Sequence, residues 1–368
     1  MNSRTFDIQP VNRFSGSNAV IRRPKEIACF SYDDDHKFYL DESSLRYYYP
    51  PKLPADLNKG FDTFEKLNDS GDEHLDALLD TIIALEKETG SKCEADIITW
   101  RGMMTKILTT PFDNMNGYEM NATYYQGSIF IEENNEFKLA QKEAQRSQSM
   151  PPGSASQDMM AFWGYKFETL SLIPTPWDTT PREFIESREE HVVNNKAQYC
   201  SVVRTGIGEA KLVIGGEVDA VWDCKPQKKE APINWVELKT SAEIYTDHDL
   251  RKYERKLLKF WAQSFLLGVP KIVVGFRSKQ GILERLEEVE TRNIPGDVKK
   301  RGKGTWDGNI CINFTANFLD WLKMNINEDG VWRIRKREKS PVVEVFKLEE
   351  SGHGGILSQA FITWRSAD

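Results

Sequence analysis

GGEVDA (residues 215–220) and NWVELKT (234–240) decide how this chain is read, because each sets two charged residues two positions apart. Alternate side chains of a β-strand share a face. Glu217 and Asp219 therefore point the same way, as do Glu237 and Lys239, with Leu238 turned to the other side. If residues 223–234 join the two stretches as neighbouring antiparallel strands with Asp219 opposite Glu237, three carboxylates and one ammonium meet in one patch. A one-residue slip of register would send Glu237 to the wrong face. Carboxylates this close repel strongly unless a cation neutralises them. Oxygen ligands with no His or Cys nearby select Mg²⁺ or Mn²⁺ rather than zinc. Such an ion activates water and stabilises a phosphoryl group in transit. Lys239 suits a place beside the nucleophile or the developing charge. The competing reading is a solvated hairpin face, but WVELK is otherwise apolar, and a buried Glu and Lys need a reason.

The surroundings predict a mixed α/β layer with this hairpin at its heart. YCSVVRTGIGEAKLVIGGEVDAVW (199–222) reads as two strands joined at Gly206-x-Gly208, a turn and not a dinucleotide loop. KIVVGFR (271–277) reads as a strand buried on both faces. Helices are expected over 74–90, from Arg101 to just before Pro111, over 159–173, over 181–195 with Thr180 and Pro181 as N-cap and first position, over 249–268 and near 315–325. Residues 95–100 and 123–131 read as single strands, 141–158 as a mobile loop, and the C-terminus as irregular. Basic runs at 298–304 and 333–339 read as solvated loops in preference to nuclear-import or RNA-contacting runs. The whole is expected to form one catalytic domain, 1–368, with its nuclease core at roughly 159–325. In the 249–268 helix, Lys252, Lys256, Lys259 and Gln263 fall on one face, a candidate phosphate track ending in a polar group.

Composition sets the outer bounds. A hydrophobic content of 39% and 10 Trp supply a large core, which excludes global disorder. The net charge of −7 argues against wholesale coating of polyanions but leaves room for a local basic groove. Cys29, Cys93, Cys200, Cys224 and Cys311 are odd in number and never in a CxxC pair. A reducing intracellular compartment is the natural expectation, with no disulfide framework or structural zinc. No stretch approaches the roughly 20 apolar residues of a membrane helix. The sequons at Asn121 and Asn313 therefore read as accidental. Trp177, in a Pro-rich turn, is a candidate for partner docking or for the core.

Asp219 followed by Glu237-Leu238-Lys239 resembles the D…(D/E)xK signature of restriction-endonuclease-like nucleases. The fuller series is TWRG, GYKFE, SVVRTGIG, GGEVDA, VELK, KFWAQSFLLGVPKIVVGFR and the C-terminal FITWR. It resembles the DXO family of RNA 5′-end decapping nucleases over most of the chain. SVVRTGIGEAKLVIGGEVD and RRPKEIACFS are similar to the fungal nuclear branch, whose member partners and stimulates the nuclear 5′→3′ exoribonuclease. The resemblance implies that Glu168, Asp219, Glu237 and the Leu238 main-chain carbonyl hold one metal ion. It implies that Glu217 with Asp219 holds a second or positions the attacking water, that Lys239 and Gln263 orient water and scissile phosphate, and that Arg101 contacts the substrate's 5′ region. Lys259, on the helix stripe, is the further candidate for substrate binding. It also implies a nuclear location. Glu168 comes from the resemblance alone; in its own setting it reads as a partly exposed helix residue. Two other classes stay open: a mainly stabilising partner of the exoribonuclease, and a DNA-directed nuclease on the same core.

Overall fold

In the computed structural model, which describes residues 3–147, 153–228 and 231–366, the chain forms two mixed sheets flanked by helices. The larger has ten strands, with the hairpin Gln198–Ile207 and Ala210–Glu217 next to the parallel strand Ile97–Trp100. The smaller has seven and places Trp235–Ala242 between Ala220–Val221 and the parallel strand Lys271–Arg277. Ala220 pairs with Val236 and Val221 with Trp235. Continuing that register sets Asp219 opposite Glu237, as expected from the sequence.

One expectation changes here. Glu217 ends a strand of the ten-stranded sheet, and Ala220 opens a strand of the seven-stranded one. Val218 and Asp219 lie in neither, so the four charged residues do not share one face of a single sheet. Alternation fixes parity only while the ladder continues, and here the chain changes sheets between the two acids. The Val218 amide donates to Tyr199 O (3.0 Å), and the Leu238 amide donates to Asp219 Oδ2 (2.6 Å). The crossing is thereby pinned on both sides.

The largest apolar cluster joins the two sheets: Ile214 and Val203 from one meet Trp235, Ile272, Val274 and Phe276 from the other. The helix Asp247–Leu267 covers them with Leu257, Leu258, Trp261 and Leu266. A capping box starts this helix: Thr246 Oγ1 accepts from the Asp249 amide, and the Asp249 carboxylate accepts from the Thr246 amide. Val273 faces the opposite way, against Phe167 and Leu238, which confirms the two-faced burial of KIVVGFR. No helix among the described residues is long and apolar enough to cross a membrane.

Several local expectations are corrected. Residues 123–131 belong to a hairpin, Tyr118–Tyr125 and Ser128–Glu133, because Gln126 (φ 47°) and Gly127 (φ 89°) form a tight turn between them. The loop expected at 141–158 is helical at both ends, Asn135–Arg146 and Gln157–Ser171; its middle, 148–152, lies outside the described residues. The helix expected at 181–195 is only Arg182–Ser187 with a 3-10 turn Arg188–Glu190, and Pro181 takes the capping position. It stops because Arg188 turns inward to donate to Tyr49 O and Pro50 O, while Thr180 bonds back to Thr175. The helix near 315–325 begins at Gly308, capped by Asp307. The C-terminus is ordered as the hairpin Val331–Lys336 and Val342–Glu349 followed by the helix Gln359–Ser366. The basic run at 333–339 is therefore largely a strand, with Arg333 paired to Glu119 and Arg335 to Glu344. Residues 298–301 lie in the helix Ile294–Arg301.

Candidate active site

Gly215 and Gly216 determine what can approach the end of the acid-bearing strand. A Cβ on Gly215 would fall 2.8 Å from the Trp100 ring, and one on Gly216 would fall 2.8 Å from Arg101 Cβ. No side chain fits at either place, so the glycines admit the Trp100–Arg101 corner against the strand. Arg101 then opens the helix Arg101–Thr109 with its guanidinium inside the acid cluster. Its Nη1 donates to Glu217 O (2.9 Å) and to Glu237 Oε2 (3.4 Å). Lys239 Nζ lies 2.7 Å from Glu237 Oε1, an ion-pair contact whose angle falls outside hydrogen-bond geometry. Glu237 is 0% exposed and is held between two cations.

The electrostatics divide the carboxylates into two kinds. Burial pushes Glu237 up, but Lys239 and then Arg101 outweigh it and hold this carboxyl below its usual value. Burial, and after it the Glu237 charge, push Asp219 up to about 8. Glu217 is raised by burial, with Arg101 opposing. Glu168, from the helix Gln157–Ser171, is raised well above the usual carboxylate range by burial and then by Asp219 and Glu217. The structure thus brings Glu168, Glu217, Asp219, Glu237, Lys239 and Arg101 into one electrostatic unit. Two cations balance Glu237, and the other three carboxylates carry an excess of negative charge that a cation would relieve.

The donor set fits a hard divalent ion. Every candidate ligand is an oxygen, from Glu168, Glu217, Asp219, Glu237 and the Leu238 main chain. Among the described residues, the trio of ligand atoms lying within 4.8 Å of one another is elsewhere: Glu26, Cys29 and Glu42. That trio lines a cleft of about 770 Å³ and already holds the Lys225 ammonium, 2.7 Å from Glu26 and paired with Glu42. Among the described residues, no three carboxylates of the acid cluster meet that spacing.

The rest of the expected set is placed less tightly. Leu267 packs at Gly216 and Arg101, and Gln263 lies one turn earlier on the same helix face, half-buried. Lys259, a turn earlier again, pairs with Asp113 (3.1 Å) and so directs its charge away from the cluster. Arg101 is engaged internally, and a substrate contact from it would have to share the guanidinium with Glu217 and Glu237. Reading the sequence missed the corner-seating role of Gly215-Gly216, although two adjacent glycines before an acid pair are a visible signal. It also missed His74, at φ 48°, whose carbonyl accepts from Trp100 Nε1 (3.0 Å) and so steadies the residue before Arg101.

His74 yields a pH prediction. Partial burial lowers its pKa, but Glu132 at 2.9 Å and Asp72 at 3.7 Å outweigh this and raise it. A histidine raised on folding stabilises fully below its unfolded pKa of about 6.5, and that contribution fades as pH climbs through the higher folded value. Burial also pushes Glu132 up, which limits the gain to about 1 kcal/mol. His74→Asn, which tolerates the left-handed backbone, is expected to cost about 1 kcal/mol at pH 6 and almost nothing at pH 9 in urea unfolding. An equal cost at both pH values would remove the charge from the explanation.

With the geometry in hand, comparison with known proteins defines the class. Residues 22–362 match the RAI1-like PD-(D/E)XK nuclease family. This chain belongs to that family and is a divalent-metal-dependent nuclease. The decapping nuclease RAI1 of Aspergillus fumigatus is 71% identical over 366 residues, covering 100% of both chains. Among solved structures, Candida albicans Rai1 in complex with pU5 and Mn²⁺ superposes with a TM-score of 0.91 at 31% identity, covering 99% of this chain and 100% of that one. Scheffersomyces stipitis Rai1 in complex with (3′-NADP)⁺ and calcium gives 0.90 at 30% identity, with the same coverage of each chain.

Proposed function

We propose that this chain, acting as one catalytic domain, hydrolyses phosphate linkages at RNA 5′ ends. Its substrates would include 5′-triphosphate RNA, incompletely methylated caps and NAD caps, with release of a 5′-hydroxyl dinucleotide as a further activity. The observation that carries the reading is the buried Glu237 clamped between Arg101 and Lys239, opposite Asp219. Relatives named as decapping nucleases, together with Rai1 structures that hold pU5 with Mn²⁺ and (3′-NADP)⁺ with calcium, support this choice of substrate.

Glu168, Asp219, Glu237 and the Leu238 carbonyl would hold one ion, with Glu217 and Asp219 sharing a second. The bound ions supply Lewis-acid stabilisation of the phosphoryl oxygens and acidify water. Lys239, anchored by Glu237, stands where a proton or a phosphate oxygen can be met, and Gln263 offers an amide to orient the scissile group. Arg101 keeps Glu237 ionised and thereby ready to ligate.

The same reading includes a nuclear location and stimulation of the nuclear 5′→3′ exoribonuclease. Trp177, 68% exposed, supports a docking role. The test is a panel of 5′ ends (triphosphate, monophosphate, hydroxyl, unmethylated cap, NAD cap) assayed side by side with and without Mn²⁺. Pyrophosphate, cap or dinucleotide release that requires Mn²⁺ is expected. No product from any 5′ end overturns the enzymatic reading. Preferred cleavage of duplex DNA moves the protein to the other nuclease class. Stimulation of the exoribonuclease that survives Asp219→Ala would separate the partner role from catalysis.

A further inference from the structure

The seven-stranded sheet ends on a strand too short to cover its neighbour. Ile282–Glu290 pairs along its length with Lys271–Arg277, but on its other side Ala55–Asp56 reaches only Ile282 and Leu283. The outward N–H and C=O groups of residues 284–290 therefore make no backbone hydrogen bond among the described residues. Seven residues of strand run for roughly 23 Å, room for a whole added strand of ordinary length.

An unpaired edge invites another strand, and proteins blunt such edges with proline, bulges, short length or charge. Ile21–Tyr32 also outruns its short neighbour Phe38–Tyr39, but it carries Pro24 and two register shifts. Residues 284–290 contain no proline, and their one register shift lies at the start, opposite Phe276 and Arg277. What they carry is charge mainly of one sign: Glu284, Glu287, Glu288 and Glu290 against Arg285. Leu286 packs with the cluster of Phe167 and Val273, and Val289 with that of Ile272 and Val274. With one side chain held on each face of the sheet, the free edge points outward.

The ion pairs along this strand say which partner fits. Arg285 is taken by Glu243 (2.8 Å) and Glu287 (3.2 Å), and Lys271 takes Glu288 (2.8 Å). Glu284 and Glu290, at the two ends of the open edge, make no ion pair among the described residues. An open ladder accepts an extended main chain, whose own N–H and C=O groups continue the sheet. Opposite charges across a strand pair stabilise it, and like charges directly opposite repel. A second copy of this chain would bring the same four glutamates, so charge works against self-pairing. A chain with cations at both ends of the stretch is favoured instead.

We propose that residues 284–290 are a docking edge for an extended basic segment of another protein, which adds as a strand with Lys or Arg side chains opposite Glu284 and Glu290. The edge is two strands from the acid cluster: Lys239 lies beside Val274, and Val274 beside Glu287, roughly 10 Å in all. It is also at the other end of the sheet from Leu172–Ile173, the strand that leads to Trp177. A partner held here leaves the Trp177 turn free for a partner of its own. Docking at this edge does not depend on what the acid cluster hydrolyses.

The test uses the full chain and two fluorescent nine-residue peptides, in which valine alternates with lysine or with glutamate. By anisotropy the lysine peptide is expected to bind about tenfold tighter than the glutamate peptide. Its binding should slow hydrogen exchange of the outward amides in 284–290 about tenfold and leave residues 217–219 unchanged. Glu284→Lys/Glu290→Lys alters two side chains that no ion pair uses, so the fold should hold. It should weaken the lysine peptide about tenfold and bind the glutamate peptide better than wild type does. Methylating the backbone amides of the lysine peptide keeps every charge but removes the ladder, and should abolish binding. Equal binding of the methylated peptide, protection elsewhere than 284–290, or no preference for lysine overturns the docking edge. Binding of neither peptide also overturns it and leaves the glutamates as guards against aggregation. A wild-type dimer in sedimentation that Glu284→Lys/Glu290→Lys disperses would give the edge to a second copy and overturn it as well.

Discussion

Asp219→Asn and Glu237→Gln should each lower RNA 5′-end hydrolysis by on the order of 10³-fold, yet move stability in opposite directions. Asp219 titrates at about 8 in the folded chain against 3.8 for the free group. A carboxyl raised on folding costs nothing below its unfolded pKa, and the cost grows as pH climbs towards the folded value. At pH 8 in EDTA, Asp219→Asn removes that cost and keeps an oxygen for the Leu238 amide, so the variant should gain about 1–2 kcal/mol. Glu237 is lowered instead, by Lys239 and Arg101 against the effect of burial. Its contribution is present above the unfolded pKa and is lost as pH falls through the folded one. Glu237→Gln leaves two cations poorly compensated and should cost about 3 kcal/mol at pH 8. Mn²⁺ should raise the wild-type Tm and leave Asp219→Asn almost unmoved. Calorimetry at pH 8 with EDTA and then Mn²⁺, beside kcat/KM, decides it. Tm shifts of the same sign in both variants, or activity within tenfold of wild type, would break the division of the cluster into a clamped acid and repelling ones.

How much of this was visible beforehand depends on how local each feature is. The parity of Glu217 with Asp219 and of Glu237 with Lys239 was legible because alternation needs only neighbouring residues. The pairing of Asp219 with Glu237 was legible because an apolar strand leaves one register that buries Leu238 and Val236 together. The change of sheet at Val218–Asp219 was not, since nothing in GGEVDA marks where a ladder ends. Glu168 carries no local signal at all; its meaning comes from a helix packed against Trp235–Ala242 far along the chain. The stripe on the long helix was legible as a stripe, but only the tertiary structure shows Lys259 taken by Asp113. The C-terminal RIRKREK misled for a related reason. Charges on a strand look like a solvated loop until the partner strands supply Glu119 and Glu344.

Glu86→Ala is expected to be among the most damaging single changes for stability, although it lies outside the acid cluster. The family-like FITWR ends in Trp364 and Arg365, on the helix Gln359–Ser366. Glu86 Oε1 accepts from Arg365 Nη2 (2.6 Å) and the Cys93 amide (2.7 Å). Its Oε2 accepts from Arg365 Nε (3.0 Å) and Trp364 Nε1 (2.8 Å). Both Glu86 and Arg365 are buried. Removing one partner of a buried bidentate pair leaves the other charge stranded, which costs about 3–5 kcal/mol and lowers Tm by roughly 5–10 °C. Replacing both charges with apolar groups avoids the stranded ion, so Glu86→Ala/Arg365→Met should recover more than half of the loss. At temperatures where Glu86→Ala is still folded, kcat/KM should match wild type, because the pair touches none of Glu168, Glu217, Asp219 or Glu237. A double variant as unstable as the single one would mean that packing of Phe361 and Trp364, not charge pairing, holds the C-terminal helix. A fall in kcat/KM with the fold intact would mean that this helix reaches the active site through the strand Ile97–Trp100, and that FITWR belongs to catalysis as well as to the fold.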